Sequence, residues 1–160
     1  MKPLEQAAFL LRITRTHGIV RRYFVVNGFD GALTILGLIT GFLVGGAPPL
    51  PVVISACLGA AIALGISGVS SAYVSEAAER RRALEDLQGA MARDLSGSFH
   101  GDAARWVPLV IALVNGSAPL LLALLIMAPL WLAQAGVALP FPPLPAAVGL
   151  ALVLHFMARV

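Results

Sequence analysis

Hydrophobic residues fall in four long, nearly uninterrupted runs, over residues 23–45, 50–74, 106–133 and 144–157, and the polar bulk falls in two places, residues 1–22 and 75–105. A hydrocarbon core about 30 Å thick takes ~20 apolar residues of helix to cross, so each run predicts a membrane span. The fourth run is short, with room to begin earlier inside the proline-rich "LPFPPLP". Between the first two runs lies "GGAPPLP", an uncharged turn whose glycines and prolines stop one helix and start the next. The pattern predicts an all-α, polytopic integral membrane helical bundle of four spans. Residues 1–22 form an interfacial amphipathic segment, 23–74 a transmembrane hairpin, 75–105 a charged helical extension of the second span, and 106–160 spans three and four.

Composition agrees with that class. Of the 160 residues, 59% are hydrophobic and only 12% charged, where soluble domains carry about 25%. The single cysteine, Cys57, rules out an internal disulfide and sits in an apolar run, which points to packing. No secretory signal is visible at the N-terminus. Nothing resembles a nucleic-acid module, a phosphate-binding glycine loop or a hydrolytic triad. With no nucleophile–base pair and no catalytic metal cluster, an enzyme and a permanently bound cofactor are not expected.

The net charge of +3 matters less than its placement. Lys2, Arg12, Arg15, Arg21 and Arg22 precede the first span; Arg80, Arg81, Arg82, Arg93 and Arg105 lie between spans two and three; Arg159 follows the fourth. The other two loops have no lysine or arginine. The positive-inside rule therefore puts both termini and the 75–105 segment in the cytoplasm. Before the first span, "LEQAAFLLRITRT" separates apolar from basic residues around a helix. It either lies along the cytoplasmic interface or is a frayed tail.

One carboxylate interrupts the first run. Asn27, Asp30, Thr34, Gly37, Gly41 and Gly45 recur at steps of three and four, so they share one helix face. Glycines at that spacing let another backbone approach, predicting that this face packs on the second span or on another protomer. An aspartate near the centre of a span costs ~2.5–3.5 kcal/mol on the insertion scale and usually faces a cavity or a partner. Followed one turn later by a threonine hydroxyl, Asp30 makes a candidate hard-oxygen cation site. The alternative is a shallow Asp30 reached by headgroups or by Arg22, about 12 Å away along the helix. Ser55, Gly59, Ala63, Ser67, Ser70 and Val74 form a similar stripe on the second span. Two such faces could meet along a wet seam. In the third span, "NGSAPLL" sets Asn115, Gly116, Ser117 and Pro119 mid-membrane, where a proline frees a backbone carbonyl.

The extension "SEAAERRRALEDLQGAMARDL" carries Glu76, Glu79, Ala83 and Asp86 on one face, with Glu85 beside it. Two readings compete. The pairs Glu76–Arg80, Arg81–Glu85 and Arg82–Asp86 have the spacing of helix ion pairs, and the same acids could collect metal. His100 and Asp102 are too isolated to make a metal site by spacing, and His17 and His155 have no acidic neighbour.

These residues resemble the vacuolar iron transporter family, and most of all its small prokaryotic members. "RRYFVVNGFDGALTILGLITG", "SGVSSAYVSEAAERRRALEDL" and "NGSAPLLLALLI" carry the resemblance. It implies an integral plasma-membrane protein that moves Fe²⁺ or Mn²⁺ away from the cytosol by proton exchange. It also implies a homodimer whose pathway runs between protomers, lined by the first two spans. Asp30 matches the family's first-span aspartate, with Thr34 beside it. Glu76, Glu79 and Glu85 match its metal-collecting glutamates, with Asp86, Met91 and Asp94 as further counterparts. Asn27, Gly37, Gly41, Ser67 and Ser70 would line the pathway. Where family transporters carry glutamate and methionine on the second span, this chain has Cys57 and Gly65 nearby. The family norm is five spans: either a fifth lies outside this sequence or this branch works with four. The competing function is a non-transporting membrane protein of the same fold, a sensor or assembly subunit.

Overall fold

The computed structural model describes residues 17–157 and is helical nearly throughout. Four helices follow one another: α1 His17–Val44, α2 Leu50–Met91, α3 Phe99–Gln134 and α4 Pro143–Met157. Three of them are long and apolar enough to cross a membrane, and α4 is a shorter apolar helix. At about 1.5 Å per residue, the 28 residues of α1 span ~42 Å and the 15 of α4 only ~22 Å. The expected spans thus appear as helices, the fourth beginning at Pro143 rather than earlier in the proline-rich stretch. The interfacial segment expected over residues 1–22 lies outside the described residues up to residue 16. Its last residues, from His17, are the opening turns of α1.

Local chemistry sets the boundaries. Gly46 has a φ of +86° in the α1–α2 turn, a backbone conformation that a glycine adopts without a steric cost. Pro51 lies in the first turn of α2, where its missing N–H is no loss. This helix then runs unbroken for 42 residues, past the end of the apolar run and through the charged stretch to Met91. Asp94 ties the following turn together. Its carboxylate accepts from the Ser96 amide at 2.9 Å, from the Ser96 hydroxyl, and from Gln88 Nε2 at 2.9 Å. The bonds from Ser96 hold the Asp94 carboxyl below the ordinary aspartate range. Ser98 then caps α3, its hydroxyl accepting from the His100 amide at 3.2 Å.

The central element is α3. It contains Pro108, Pro119 and Pro129, which a water-exposed helix would tolerate poorly but a membrane helix can accommodate where its neighbours satisfy the freed backbone groups. Two apolar clusters surround it. The larger joins Ile35 and Ile39 of α1, Val53, Cys57 and Ala61 of α2, Ile126, Met127 and Leu130 of α3, and Ala147 and Ala151 of α4. The smaller sits at the charged end, where Val20 and Tyr23 pack on Ala103, Val107 and Ile111. Between the clusters the helices close to backbone contact. A Cβ at Gly31 would lie 2.6 Å from the Pro119 Cα, and one at Gly116 would lie 2.5 Å from the Gly65 carbonyl oxygen. Helix α4 docks on α1 through an edge-to-face contact of Phe29 with His155, ring centroids 5.0 Å apart.

Candidate functional site

From Asp30 onward the stripe on α1 faces outward, with Thr34 half-buried. Ala32, Ile35 and Ile39 turn into the core, and Gly28 and Gly31 press against Leu122 and Pro119. At 3.6 residues per turn the opposite side is then fixed: Asp30, Gly37 and Gly41 are exposed. A Cβ at Gly37 or Gly41 would meet nothing within 4 Å, and one at Gly45 only the Gly41 carbonyl oxygen. This corrects one of the two packing partners expected for these glycines. The second span of the same chain does not cover them.

Asp30 has no hydrogen-bond or ion-pair partner for its carboxylate among the described residues, and Arg22 makes no ion pair with it. The Thr34 hydroxyl donates to the Asp30 backbone carbonyl at 2.7 Å. That bond spends the threonine proton and leaves its oxygen lone pairs free to accept. Asp30 and Thr34 therefore offer a carboxylate and a hydroxyl oxygen on one exposed turn.

The stripe on α2 is also outward. Ser55, Gly59, Ala63, Ser67, Ser70 and Val74 are all exposed, while Cys57, Ala61, Gly65, Gly68 and Ala72 bury the other side against the bundle. The two stripes do not meet face to face within one chain. Helices α1 and α2 each lie on α3 instead, and a direct bridge between them occurs at the charged end, where the Tyr23 hydroxyl donates to Glu76 Oε1 at 3.2 Å.

Tyr23 is the partner of Glu76 that the sequence did not reveal. Glu76 also sits 3.8 Å from the Arg80 guanidinium, with its side chain 12% exposed. Glu76 is thus held between a phenol and an arginine. Glu85 takes Arg81 at 3.0 Å on an open surface, and Glu79 is exposed. The third expected pair, Arg82–Asp86, is absent among the described residues. No group of three or more histidine, cysteine, aspartate or glutamate side chains comes together among the described residues. The three glutamates share a helix without forming a cluster in a single chain.

A polar layer crosses the middle of the bundle. Asn115, near the midpoint of α3, is the one buried polar side chain among the described residues. It accepts from Asn27 Nδ2 and donates to the Gly68 carbonyl at 2.8 Å. Asn27 Nδ2 also reaches the Tyr23 carbonyl at 3.1 Å. Of the residues expected to line a pathway, Asn27 therefore turns inward to tie α1, α3 and α2 together, whereas Gly37, Gly41, Ser67 and Ser70 lie open. The spacing of Tyr23 and Asn27, one turn apart, was the available signal. The chain matches no family model, no curated protein and no solved structure.

Proposed function

We propose that this integral membrane protein moves a divalent metal, Fe²⁺ or Mn²⁺, out of the cytosol in exchange for protons, through a pathway that two copies form between their outward stripes. The observation that carries this reading is Asp30: an exposed carboxylate without a partner among the described residues, in the apolar run of α1, beside an open face of glycines. Against lipid, such a charge costs ~2.5–3.5 kcal/mol. A second copy seated on the stripe removes it from lipid, and the small residues leave room for water and an ion. Thr34 supplies a second oxygen one turn away, as hard divalent cations prefer. In this reading metal and proton take turns at the same carboxylate, which couples the two fluxes at one site. The arginines at the charged end set the direction, since they place that end in the cytoplasm, where the exposed Glu79 is the freest of the three glutamates to meet metal.

The test is Mn²⁺ and Fe²⁺ flux into proteoliposomes under a proton gradient. Asp30→Asn is expected to fold and insert, since it removes a charge that is costly in lipid, and to lose metal-driven proton movement. Undiminished flux in that variant would sink the mechanism. One observation favours a second reading. Glu76 and Glu85 already hold Tyr23, Arg80 and Arg81, which suits a non-transporting sensor or assembly subunit whose charged helix is built for stability. In that case wild-type protein carries no flux at all.

A further inference from the structure

Where α2 leaves the apolar zone and α3 enters it, the two helices diverge around a cleft of about 310 Å³. Its walls are Tyr73 and Arg81 from α2 and Arg105 from α3, and small residues, Ala77, Gly101 and Ala104 among them, form its floor. The floor has to be small: a Cβ at Gly101 would fall 2.2 Å from the Ser96 carbonyl oxygen. Two guanidinium groups thus border one concavity that no carboxylate lines. The nearest acids are accounted for. Glu85 holds Arg81, but with both side chains mostly solvated, at 82% and 58% exposure, so the pair is weak. Asp102 makes no ion pair with Arg105 among the described residues.

The position of the cleft decides what it fits. Tyr73 and Trp106 are both exposed, at 44% and 54%, and such rings mark the headgroup level of a bilayer. One and two turns further along α3 from Arg105, Leu109 and Leu113 are exposed in line with it. On α2, Val74 and Ile66 are exposed in the same direction of travel, away from the charged end. A cationic, hydroxyl-bearing cleft thus opens at headgroup depth above two apolar tracks.

We propose that this cleft binds the headgroup of an anionic phospholipid, its phosphate between Arg81 and Arg105 with Tyr73 as a further donor, and its acyl chains along Leu109 and Leu113. The guanidinium forks match phosphate oxygens in pairs, and basic pockets between spans on the arginine-bearing side suit such headgroups. Two arginines also repel a divalent cation, so this site is separate from Asp30. It rests on the bilayer placement of α2 and α3, not on metal transport. Binding would brace the junction between the span and the charged extension of α2.

The experiment is titration of phosphatidylglycerol into the purified protein in phosphatidylcholine nanodiscs, with bound lipid counted by native mass spectrometry. Arg81→Gln and Arg105→Gln are each expected to weaken retention about five-fold, at roughly 1 kcal/mol per arginine near an anionic surface. The double variant should lose most specific retention. Arg82→Gln removes the same charge from an exposed residue outside the cleft and should weaken retention clearly less than either single cleft variant. All three are surface changes, and unchanged helicity by circular dichroism checks that they fold. Equal losses from Arg82→Gln and Arg105→Gln would reduce the effect to general surface charge and overturn the site. Binding of inorganic phosphate that displaces the lipid at equal concentration would reassign the cleft to a soluble anion and overturn the lipid assignment.

Discussion

Asn27 and Asn115 show how much one side-chain pair can organise inside an apolar bundle. A carboxamide in hydrocarbon must find partners, and here each finds the other, with the Gly68 carbonyl completing the chain across three helices. Removing one partner strands the other, whereas replacing both with apolar groups restores a satisfied, if less specific, interface. We therefore expect Asn115→Leu and Asn27→Leu each to destabilise the bundle and the double variant to recover part of the loss. Coupling between such pairs in membrane proteins averages about 0.6 kcal/mol and reaches about 1.7. Asn115 is buried and also bonds the Gly68 carbonyl, so losing its partner inside the bundle places this pair above that average. Unfolding of the four members of the cycle in mixed detergent measures it, and additive losses would show that the pair is not coupled.

Between elements, glycine decides which helices touch. Gly31 lies on Pro119, and Gly65, Gly68 and Gly116 bring α2 and α3 to backbone distance. Even alanine is too large at two of these positions: its Cβ would lie 2.6 Å from backbone at Gly31 and 2.5 Å from backbone at Gly116. Backbone cannot move aside as a flexible side chain can, so Gly31→Ala and Gly116→Ala should each cost about 1–3 kcal/mol, the usual range for overpacking. Gly59→Ala, which meets open space, should be silent or slightly stabilising through helix propensity. Thermal melts in detergent compare them, and equal stability of Gly31→Ala and wild type would remove the α1–α3 crossing as described. The same contrast shows where sequence reading stopped. The apolar runs revealed all four helices, three of them long and apolar enough to cross a membrane. Periodicity also grouped Gly37, Gly41 and Gly45 on one face, but it could not say whether that face pointed in. In a soluble helix the apolar side marks the interior; α1 carries bulky apolar residues on its buried side (Ile35, Ile39) and on its exposed side (Leu33, Leu43), so that cue is lost. Gly28 and Gly31, hidden among the residues around Asp30, turned out to be the packing pair. Glu76 was legible as an acid on the right face, but its tie to Tyr23, 53 positions away in sequence, depends on how α1 and α2 lean on α3.

At the scale of the whole molecule, one chain leaves its small-residue stripes uncovered. Core residues fill the space around α3, while Asp30, Gly37, Gly41, Ser67 and Ser70 sit on the outside. Lipid alone gains little from glycine and serine, whereas a second protein backbone packs closely on them. Covering the stripe also removes the Asp30 charge from hydrocarbon. A C₂ dimer is the simplest closed arrangement that covers both copies at once, since the same patch serves on each side. The chain's single cysteine makes the idea testable without removing it: Cys57 is fully buried and out of reach of reagents. Gly37→Cys and Gly41→Cys, one turn apart on the open face, should form covalent dimers in membranes with a short bifunctional maleimide. Leu121→Cys, exposed on α3, should not. Gly41→Leu should shift the protein from dimer to monomer in detergent, because a Cβ there meets nothing in its own chain and the bulk is added to the open face. If Gly41→Leu stayed dimeric while Leu121→Cys cross-linked, the copies would meet through α3. Asp30 would then face lipid in the assembly, and the shared pathway would have no walls.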